Sequence, residues 1–410
     1  MKKKLHILVV TQYFWPENFR INDLVSDWLS RGYQVTVLTG QPSYPNPNLY
    51  GDYKKSPLDY ISFSGARVVR VPTISRNADF FKIFLNYMSF ILSGCTVGIL
   101  KLRKLQPDAI FVFGPSPIFV CFPAILLSKL KRIPIIFWVL DAWPDTLSAV
   151  NFLSSRRLLQ LIGIVVGFIY KKCHIILGQS RSLCVNIKKY CGDSAIVEYL
   201  PSWSEDFGGI SGVELAPQIL EDPKVFTVLF TGNFGDAQDI SSILDAAELL
   251  KDDVHLRWVL VGGGRKFEWT KQEVVNRGLE KCVLLPGMFP LSSMPSFYAH
   301  ADVLLVSLTA HPAFEMIIPG KIQAYLRTGL PIIGMLNGEG ADVIQRAKAG
   351  ITCNAGDVRG LVEAIRRLKS CSAIERLEMG ASGLAFSELE FDRKMVLARL
   401  DSILIDATRQ

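Results

Sequence analysis

The chain has 410 residues, more than one ordinary core takes, and so fits two domains of roughly 200 residues each. Its composition is 49% apolar and 20% charged, which makes a membrane surface a candidate partner, and its charge is unevenly placed: residues 1–205 carry 24 Lys and Arg against 12 Asp and Glu, residues 206–410 carry 21 against 26. A basic half of this kind attracts anionic lipid or phosphorylated acceptors, or simply keeps a surface soluble; its dispersed cations, without interleaved aromatics or a recognition motif, argue against a nucleic-acid binder.

Met1 to Val10 starts with three lysines and an apolar run that is too short for a secretory signal and meets no cleavage site. It reads as a first buried strand over Leu5–Val10. Further β-branched runs follow at Val35–Thr39, Val68–Val71, Ala109–Phe113, Ile135–Val139, Ile175–Leu177 and Ile196–Tyr199, with amphipathic stretches between them. Continuous apolar strands alternating with helices predict a doubly wound parallel sheet. Two of the intervening stretches bear on the membrane: Ile83 to Leu100 is uncharged apart from its flanks and contains Asn86, and Leu158 to Tyr170 ends in two lysines. Both fall inside the strand–helix alternation of a soluble core, and contact with a bilayer surface or plain burial fits them better than spanning.

From Leu200 to Lys224 the pattern lapses into Pro, Ser, Gly and acidic residues, and the boundary between domains 1–205 and 206–385 is placed there. Strands are then expected at Val225–Thr231, Leu256–Val261, Cys282–Leu285, Val303–Ser307, Pro331–Gly334 and Gly350–Cys353, followed by helices at Asp357–Ser370 and Ala373–Leu384. A last amphipathic segment, Phe391–Ile405 within 386–410, has no strand after it and is expected to brace both domains. The class is α/β: two Rossmann-like domains facing a central cleft. The eight cysteines form no C-x-x-C pair and read as reduced, structural thiols of a cytosolic compartment.

Ligands of open α/β sheets bind beyond the carboxyl ends of the strands, so the informative residues follow strands. Thr11 to Arg20, with Trp15 and Asn18, follows the first strand and lines the first domain's side of the cleft. Asp141, in Asp141-Ala-Trp-Pro-Asp, follows a wholly apolar strand and is the candidate on the acceptor side, beside Trp143; a helix cap or ion pair is its plain structural role, and Asp145 is an alternative carboxylate. In the second domain, Thr231-Gly-Asn-Phe-Gly-Asp-Ala-Gln-Asp carries Gly232, Asn233 and Gly235, with Asp239 placed to cap the next helix, although an ordinary tight turn has the same composition. Val261-Gly-Gly-Gly-Arg-Lys puts Gly263, Arg265 and Lys266 at a strand-to-helix turn, a phosphate cradle without Walker spacing. Pro319, Gly320 and Lys321 open a helix; a lysine in a first helical turn is ordinarily a solvated side chain, but the helix dipole disfavours it there, which points to an anionic ligand such as a departing diphosphate. His311 precedes them as either a site residue or an ordinary loop histidine. The five histidines have no ligand spacing and no D-x-D occurs, so no metal is expected, and no Ser-His-Asp signature is present.

With these loops in place the sequence resembles family 4 of the retaining glycosyltransferases, of GT-B fold, over nearly its full length. Ile7-Leu-Val-Val-Thr-Gln-Tyr-Phe-Trp-Pro-Glu and Leu29-Ser-Arg-Gly-Tyr-Gln-Val-Thr-Val are similar to that family's N-terminal pattern, with Tyr33 in place of its histidine. Asp141-Ala-Trp-Pro-Asp, Leu200-Pro-Ser-Trp, Val261-Gly-Gly-Gly and Ile318-Pro-Gly-Lys-Ile-Gln-Ala-Tyr look like the branch that builds bacterial O-antigen and capsule units, including N-acetyl-L-fucosamine transferases. The resemblance implies a UDP-sugar held mainly by the second domain, through Gly232, Asn233, Gly235, Gly263, Arg265, Lys266, Phe289, Glu315, Pro319 and Gly320. It implies a lipid-diphosphate-linked saccharide held by the first, through Trp15, Asn18 and Trp143. Asp141 and Lys321 are the catalytic candidates, transfer is with retention and without cofactor or metal, and the enzyme is peripheral on the cytoplasmic face of a bacterial inner membrane.

The departures are local. Asn18-Phe19 stands where the family has a glycine pair after Pro-Glu, and Asn233 follows Gly232 where an arginine is usual. Of the paired glutamates only Glu315 is present, since the second falls on Gln323 or, aligned on Gly329, on Ala324. Two other readings follow: a non-catalytic GT-B partner protein, motivated by the missing glutamate, and a UDP-sugar epimerase, which needs no basic, apolar first domain.

Overall fold

The computed structural model describes residues 4–43, 48–75, 80–149, 153, 155–204, 210 and 212–409. The described chain forms two compact units, one of residues 1–200 with 398–410 and the other of 201–397. The crossing at 200/201 lies just before the boundary drawn at 205/206, which falls outside the described residues.

The first unit is an eight-stranded sheet: β1 (His6–Val10), β2 (Gln34–Thr39), β3 (Ser62–Phe63), β4 (Ala66–Arg70), β5 (Ala109–Gly114), β6 (Ile135–Val139), β7 (Ile175–Gly178) and β8 (Ile196–Tyr199). Its spatial order is β3-β4-β2-β1-β5-β6-β7-β8, parallel except for the short β3–β4 pair. The second unit has β9 (Phe226–Asn233), β10 (Leu256–Gly263), β11 (Val283–Gly287), β12 (Val303–Ser307), β13 (Ile332–Met335) and β14 (Gly350–Cys353), ordered β11-β10-β9-β12-β13-β14 and wholly parallel. Strands such as Phe111, Val112 and Phe113, or Val303 to Val306, are solvent-free on both faces. Burial on both faces is why these segments are continuous apolar runs without alternation.

The strand order reverses between β1 and β5 in the first unit and between β9 and β12 in the second. A crevice opens beyond the carboxyl ends at such a point, so the loops after β1, β9 and β12 are the ones positioned to hold ligands.

The expected strands are all present, with ends at the expected residues or within two of them, and β3 is an addition. The helix expected at Ala373–Leu384 runs on through Ala373–Glu390, opened by Ser372, whose side chain and that of Glu375 cap reciprocally. The last helix is Arg393–Ala407. The uncharged stretch is helical from Phe80 to Leu102, with one π turn at Gly94–Gly98. Its segment Phe81–Leu102 has a mean hydropathy of 1.7 and is long and apolar enough to cross a membrane. One side packs into the unit, where the buried Asn86 accepts a hydrogen bond from Gln12 Nε2 (2.6 Å) and donates to the Ile74 carbonyl (2.5 Å). Phe81, Phe84, Leu92 and Leu100 stay exposed on the other. All eight cysteines are free thiols.

Candidate functional site

In the second unit the ends of β9 and β10 run side by side, Gly232 opposite Gly262 and Asn233 opposite Gly263. Gly232, Gly262 and Gly264 have φ of +134°, +147° and +141°, values that L side chains rarely adopt. A Cβ on Gly262 would collide with the Gly232 carbonyl oxygen. The loop then folds back: Phe234 N donates to the Gly263 carbonyl (2.8 Å) and Lys266 N to the Phe234 carbonyl (2.9 Å). Asp239 Oδ1 caps the helix Ile240–Leu249 by accepting from Ser242 N (3.4 Å), as its position predicts.

The loop after β12 is fastened to the same place. Ser307 Oγ donates to the Gln238 carbonyl (2.5 Å) and Thr309 N to that of Ala237 (2.9 Å). The helix Gly320–Leu326 then brings Tyr325 OH to the backbone N–H of Thr231 (3.0 Å) and Lys321 against Gly232. So close is the lysine that a Cβ on Gly232 would collide with its Cε.

Lys321 is the chemically unusual group of this cluster. Its Nζ is buried with no hydrogen-bond partner and lies 3.7 Å from the centre of the Phe230 ring. Burial alone pulls its pKa down to about 7. An ammonium taken from water without a counter-charge is costly, so the geometry is that of a cation waiting for an anion. Arg265 and Lys266, expected to share this task, are engaged by Asp236: Arg265 Nη2 pairs with Oδ2, and Lys266 Nζ lies 3.3 Å from Oδ1. Asp236 stands four residues beyond Gly232, in a motif whose glycines are its conspicuous feature, and only its pairing with Arg265 and Lys266 marks it.

The remaining donor candidates are more dispersed. Asn233 is exposed and Gly235 buried, its N–H donating to Gln238 Oε1 (3.2 Å). Gly263 faces Met288, and the next residue, Phe289, packs on Phe297 at 4.8 Å between ring centres. Glu315 ends the short helix Pro312–Glu315 and its Oε1 accepts from Asn337 Nδ2 (3.3 Å). Pro319 is the residue before the lysine helix and Gly320 its exposed first residue. His311 caps Pro312–Glu315, its Nδ1 accepting from Ala313 N (3.1 Å). Gln323 is buried and donates to the Ser202 carbonyl (2.9 Å), a structural contact within the unit. Among the described residues no three His, Cys, Asp or Glu side chains converge as a metal site would require.

In the first unit the loop after β1 is held rigidly. Glu17, buried, accepts from Phe14 N (3.1 Å) and Ser43 N (2.8 Å), while Arg70 donates to the carbonyls of Gly40 (2.8 Å), Tyr60 (3.2 Å) and Trp15. Trp15 packs against Tyr60 and Phe63, and Asn18 is exposed. Trp143 is buried edge-on against Phe119, its Nε1 without a hydrogen-bond partner. Asp141, just beyond β6, is half-buried, and burial pushes its carboxyl up to about 7. The raised value means that charging Asp141 opposes folding as pH rises from about 4 to 7, and the cost is complete above 7. Asp141→Asn is therefore expected to raise the melting temperature at pH 8 and to leave it unchanged at pH 4; equal shifts at both pH values would disprove a charge effect.

Residues 225–370, most of the second unit, match the family described as glycosyl transferases, group 1. The chain is a glycosyltransferase. This glycosyltransferase is 24% identical over 316 residues, 74% of its length and 75% of the relative's, to a putative colanic acid biosynthesis glycosyl transferase, WcaI, of Escherichia coli. Its fold is GT-B, two α/β domains with parallel sheets. Sucrose-phosphate synthase of Thermosynechococcus elongatus superposes with a TM-score of 0.74 at 13% identity, covering 98% of both chains. HepE of Anabaena, solved with UDP and glucose, superposes at 0.69 and 13% identity, covering 98% of this chain and 99% of that one.

Proposed function

We propose that this glycosyltransferase moves a sugar, N-acetyl-L-fucosamine by its sequence resemblance, from a UDP-sugar to a lipid-diphosphate-linked saccharide, with retention and without a metal, in the synthesis of a bacterial surface polysaccharide. The observation that carries the reading is Lys321: a buried, unpartnered ammonium beside three glycines that open the backbone to a ligand. A diphosphate there supplies the missing counter-charge, and HepE binds UDP within the same fold. Similarity to a putative colanic acid biosynthesis glycosyl transferase supports a polysaccharide pathway, and the basic first unit with its exposed apolar helix face supports a peripheral position on the cytoplasmic leaflet.

Transfer breaks the bond between the anomeric carbon and the diphosphate oxygen and joins that carbon to an acceptor hydroxyl. The hydroxyl proton passes to the leaving phosphate, Lys321 stabilises the negative charge that develops there, and Asp141 orients the acceptor. The test is turnover of a panel of UDP-sugars with membrane-extracted lipid-linked acceptors. Product from one donor supports the reading; UDP-sugar binding with no transfer to any acceptor overturns it.

A proton linkage follows from the same lysine. With its pKa lowered to about 7, Lys321 is largely neutral in the empty site at pH 8 and must take up a proton to meet a diphosphate. Calorimetry of UDP binding in buffers of different ionisation enthalpy is expected to show net proton uptake at pH 8 that fades by pH 6, and affinity falling as pH rises above 7. Lys321→Met removes the lysine's share; an unchanged proton count in that variant would place the linkage elsewhere.

A further inference from the structure

The strand pairing of the second unit leaves a gap where the donor candidates gather. β9 stays paired with β10 as far as Asn233, but with β12 only at Val228 and Leu229, and β12 runs on to Ser307 against β13. The backbone groups of a parallel strand face its two neighbours in alternation. Thr227 faces the β12 side, donating its N–H to Asp302 Oδ2 (2.8 Å) and accepting from Asp302 N (3.0 Å). Leu229 and Thr231 therefore face the same side, and Thr231 arrives where β12 has already left. Tyr325 stands in for the strand. Its hydroxyl accepts from Thr231 N (3.0 Å) and lies 3.1 Å from Thr231 Oγ1 and 3.5 Å from the Thr231 carbonyl oxygen. The ring is solvent-free, and Tyr298, at the end of the helix Met294–Tyr298, backs it edge-on at 5.9 Å between ring centres.

Lys321 stands four residues earlier on the same helix, and residues four apart share a face. The two side chains thus meet three consecutive residues of β9: Lys321 lies over the Phe230 ring and against Gly232, and Tyr325 bonds Thr231 between them. A lysine stem is flexible and sets no distance between helix and strand, whereas a tyrosine ring is rigid and does. We propose that Tyr325 is the positioning residue of the donor site: its hydroxyl closes the gap between β9 and β12 and so holds Lys321, screened from water, where the diphosphate arrives. The proposal rests on the reading of Lys321 as the cation that meets the diphosphate. Without the hydroxyl, the Thr231 N–H is a buried donor with no partner, which is costly. Water entering the gap or a strand end moving off the helix relieves it, and either brings water to Lys321. Burial is the one cause of that lysine's lowered pKa, with no charged neighbour contributing, so hydration returns it upward. Burial also pushes the Tyr325 phenol up, so the tyrosine itself stays neutral over the pH range of the test.

The test is calorimetry of UDP binding to the full-length protein at pH 8, in buffers of different ionisation enthalpy, for the wild type, Tyr325→Phe and Ile365→Val. The last is a core change in the helix Val358–Ser370 that loosens the unit without touching the Tyr325 hydroxyl. With its lysine already protonated in the empty site, Tyr325→Phe is expected to take up about half the wild-type proton count or less. Its turnover, with the donor that the panel finds, is expected to fall by about 10–10²-fold, the scale of a misplaced group. A tyrosine that only packs would behave as Ile365→Val does, with a lower melting temperature and an unchanged proton count, and that result in Tyr325→Phe overturns the proposal. Hydrogen exchange of the wild type is a check that needs no variant: the Thr231 amide is expected to exchange as slowly as that of Phe230, which faces β10. A freely exchanging Thr231 amide means a wet gap and also overturns it. Failure of the underlying reading looks different: the wild type itself binds UDP at pH 8 without proton uptake, and the assignments of Lys321 and Tyr325 fall together.

Discussion

Lys321→Met is expected to lower turnover by about 10²–10³-fold, the size of effect seen when one preorganised group facing developing charge is removed, or about 2.7–4 kcal/mol. The same substitution should make the protein more stable. The folded value of Lys321, about 7, lies below its ordinary 10.5, so at pH values between the two the unfolded chain holds the extra proton and burial of the lysine opposes folding. That cost is full below about pH 7 and fades as pH climbs towards 10.5. Methionine fills similar space against Phe230 without the charge, so the melting temperature is expected to rise most at pH 6 and least at pH 10. A variant that is inactive and more stable is a statement about the site; one that is inactive and less stable would mean that Lys321 serves packing, and the assignment of a waiting cation would fall. Steady-state turnover and a pH series of thermal melts on the same preparation decide between these.

Gly262→Ala is expected to cost more than about 4 kcal/mol of stability, the range reserved for named structural conflicts. Its Cβ would meet the backbone oxygen of Gly232, an atom that moves only if β9 and β10 part, and the residue holds φ of +147°. The control is one residue away. Gly263 is not in the left-handed region, and a Cβ on it would make only ordinary contacts with the Met288 side chain, Cβ at 3.5 Å and Sδ at 3.7 Å, so Gly263→Ala should change stability by about 0.5 kcal/mol at most. Denaturant melts of the pair separate a close approach of backbones from a general preference of the loop for glycine. If both variants unfold alike, the Gly232–Gly262 contact is not what the glycine serves. UDP affinity adds a second readout, because parting the strand ends withdraws Gly232 from Lys321.

The fold was legible because its strands are buried on both faces. Ile135–Val139 and Val303–Ser307 appear at the residues expected, since a run of five residues, apolar or nearly so and rich in β-branched and aromatic side chains, is too short for a helix and suits a central parallel strand buried on both faces. β3 was not legible: two residues, Ser62 and Phe63, carry no periodicity. Lys321 was legible as an exception to helix-dipole preference. Arg265 and Lys266 were legible as cations but not as cations already engaged by Asp236, because a sequence shows charge and hides its pairing. Gln323 stood out as a missing glutamate, and its structural reason, a hydrogen bond to the Ser202 carbonyl, joins residues 121 positions apart.

The sequence by itself determined the class of fold, the alternation of strand and helix, the split of charge between the halves and the loops that follow strands, because each of these is written in local patterns of polarity and in glycine, proline and capping residues. Only the tertiary structure decided which cation stands without a counter-charge, which glycines touch another strand and which side of an apolar helix is left open. Burial, pairing and close approach are properties of residues far apart in the chain. Lys321 becomes a perturbed ammonium only when the helix after β12 lays it against Phe230 and Gly232 at the end of β9.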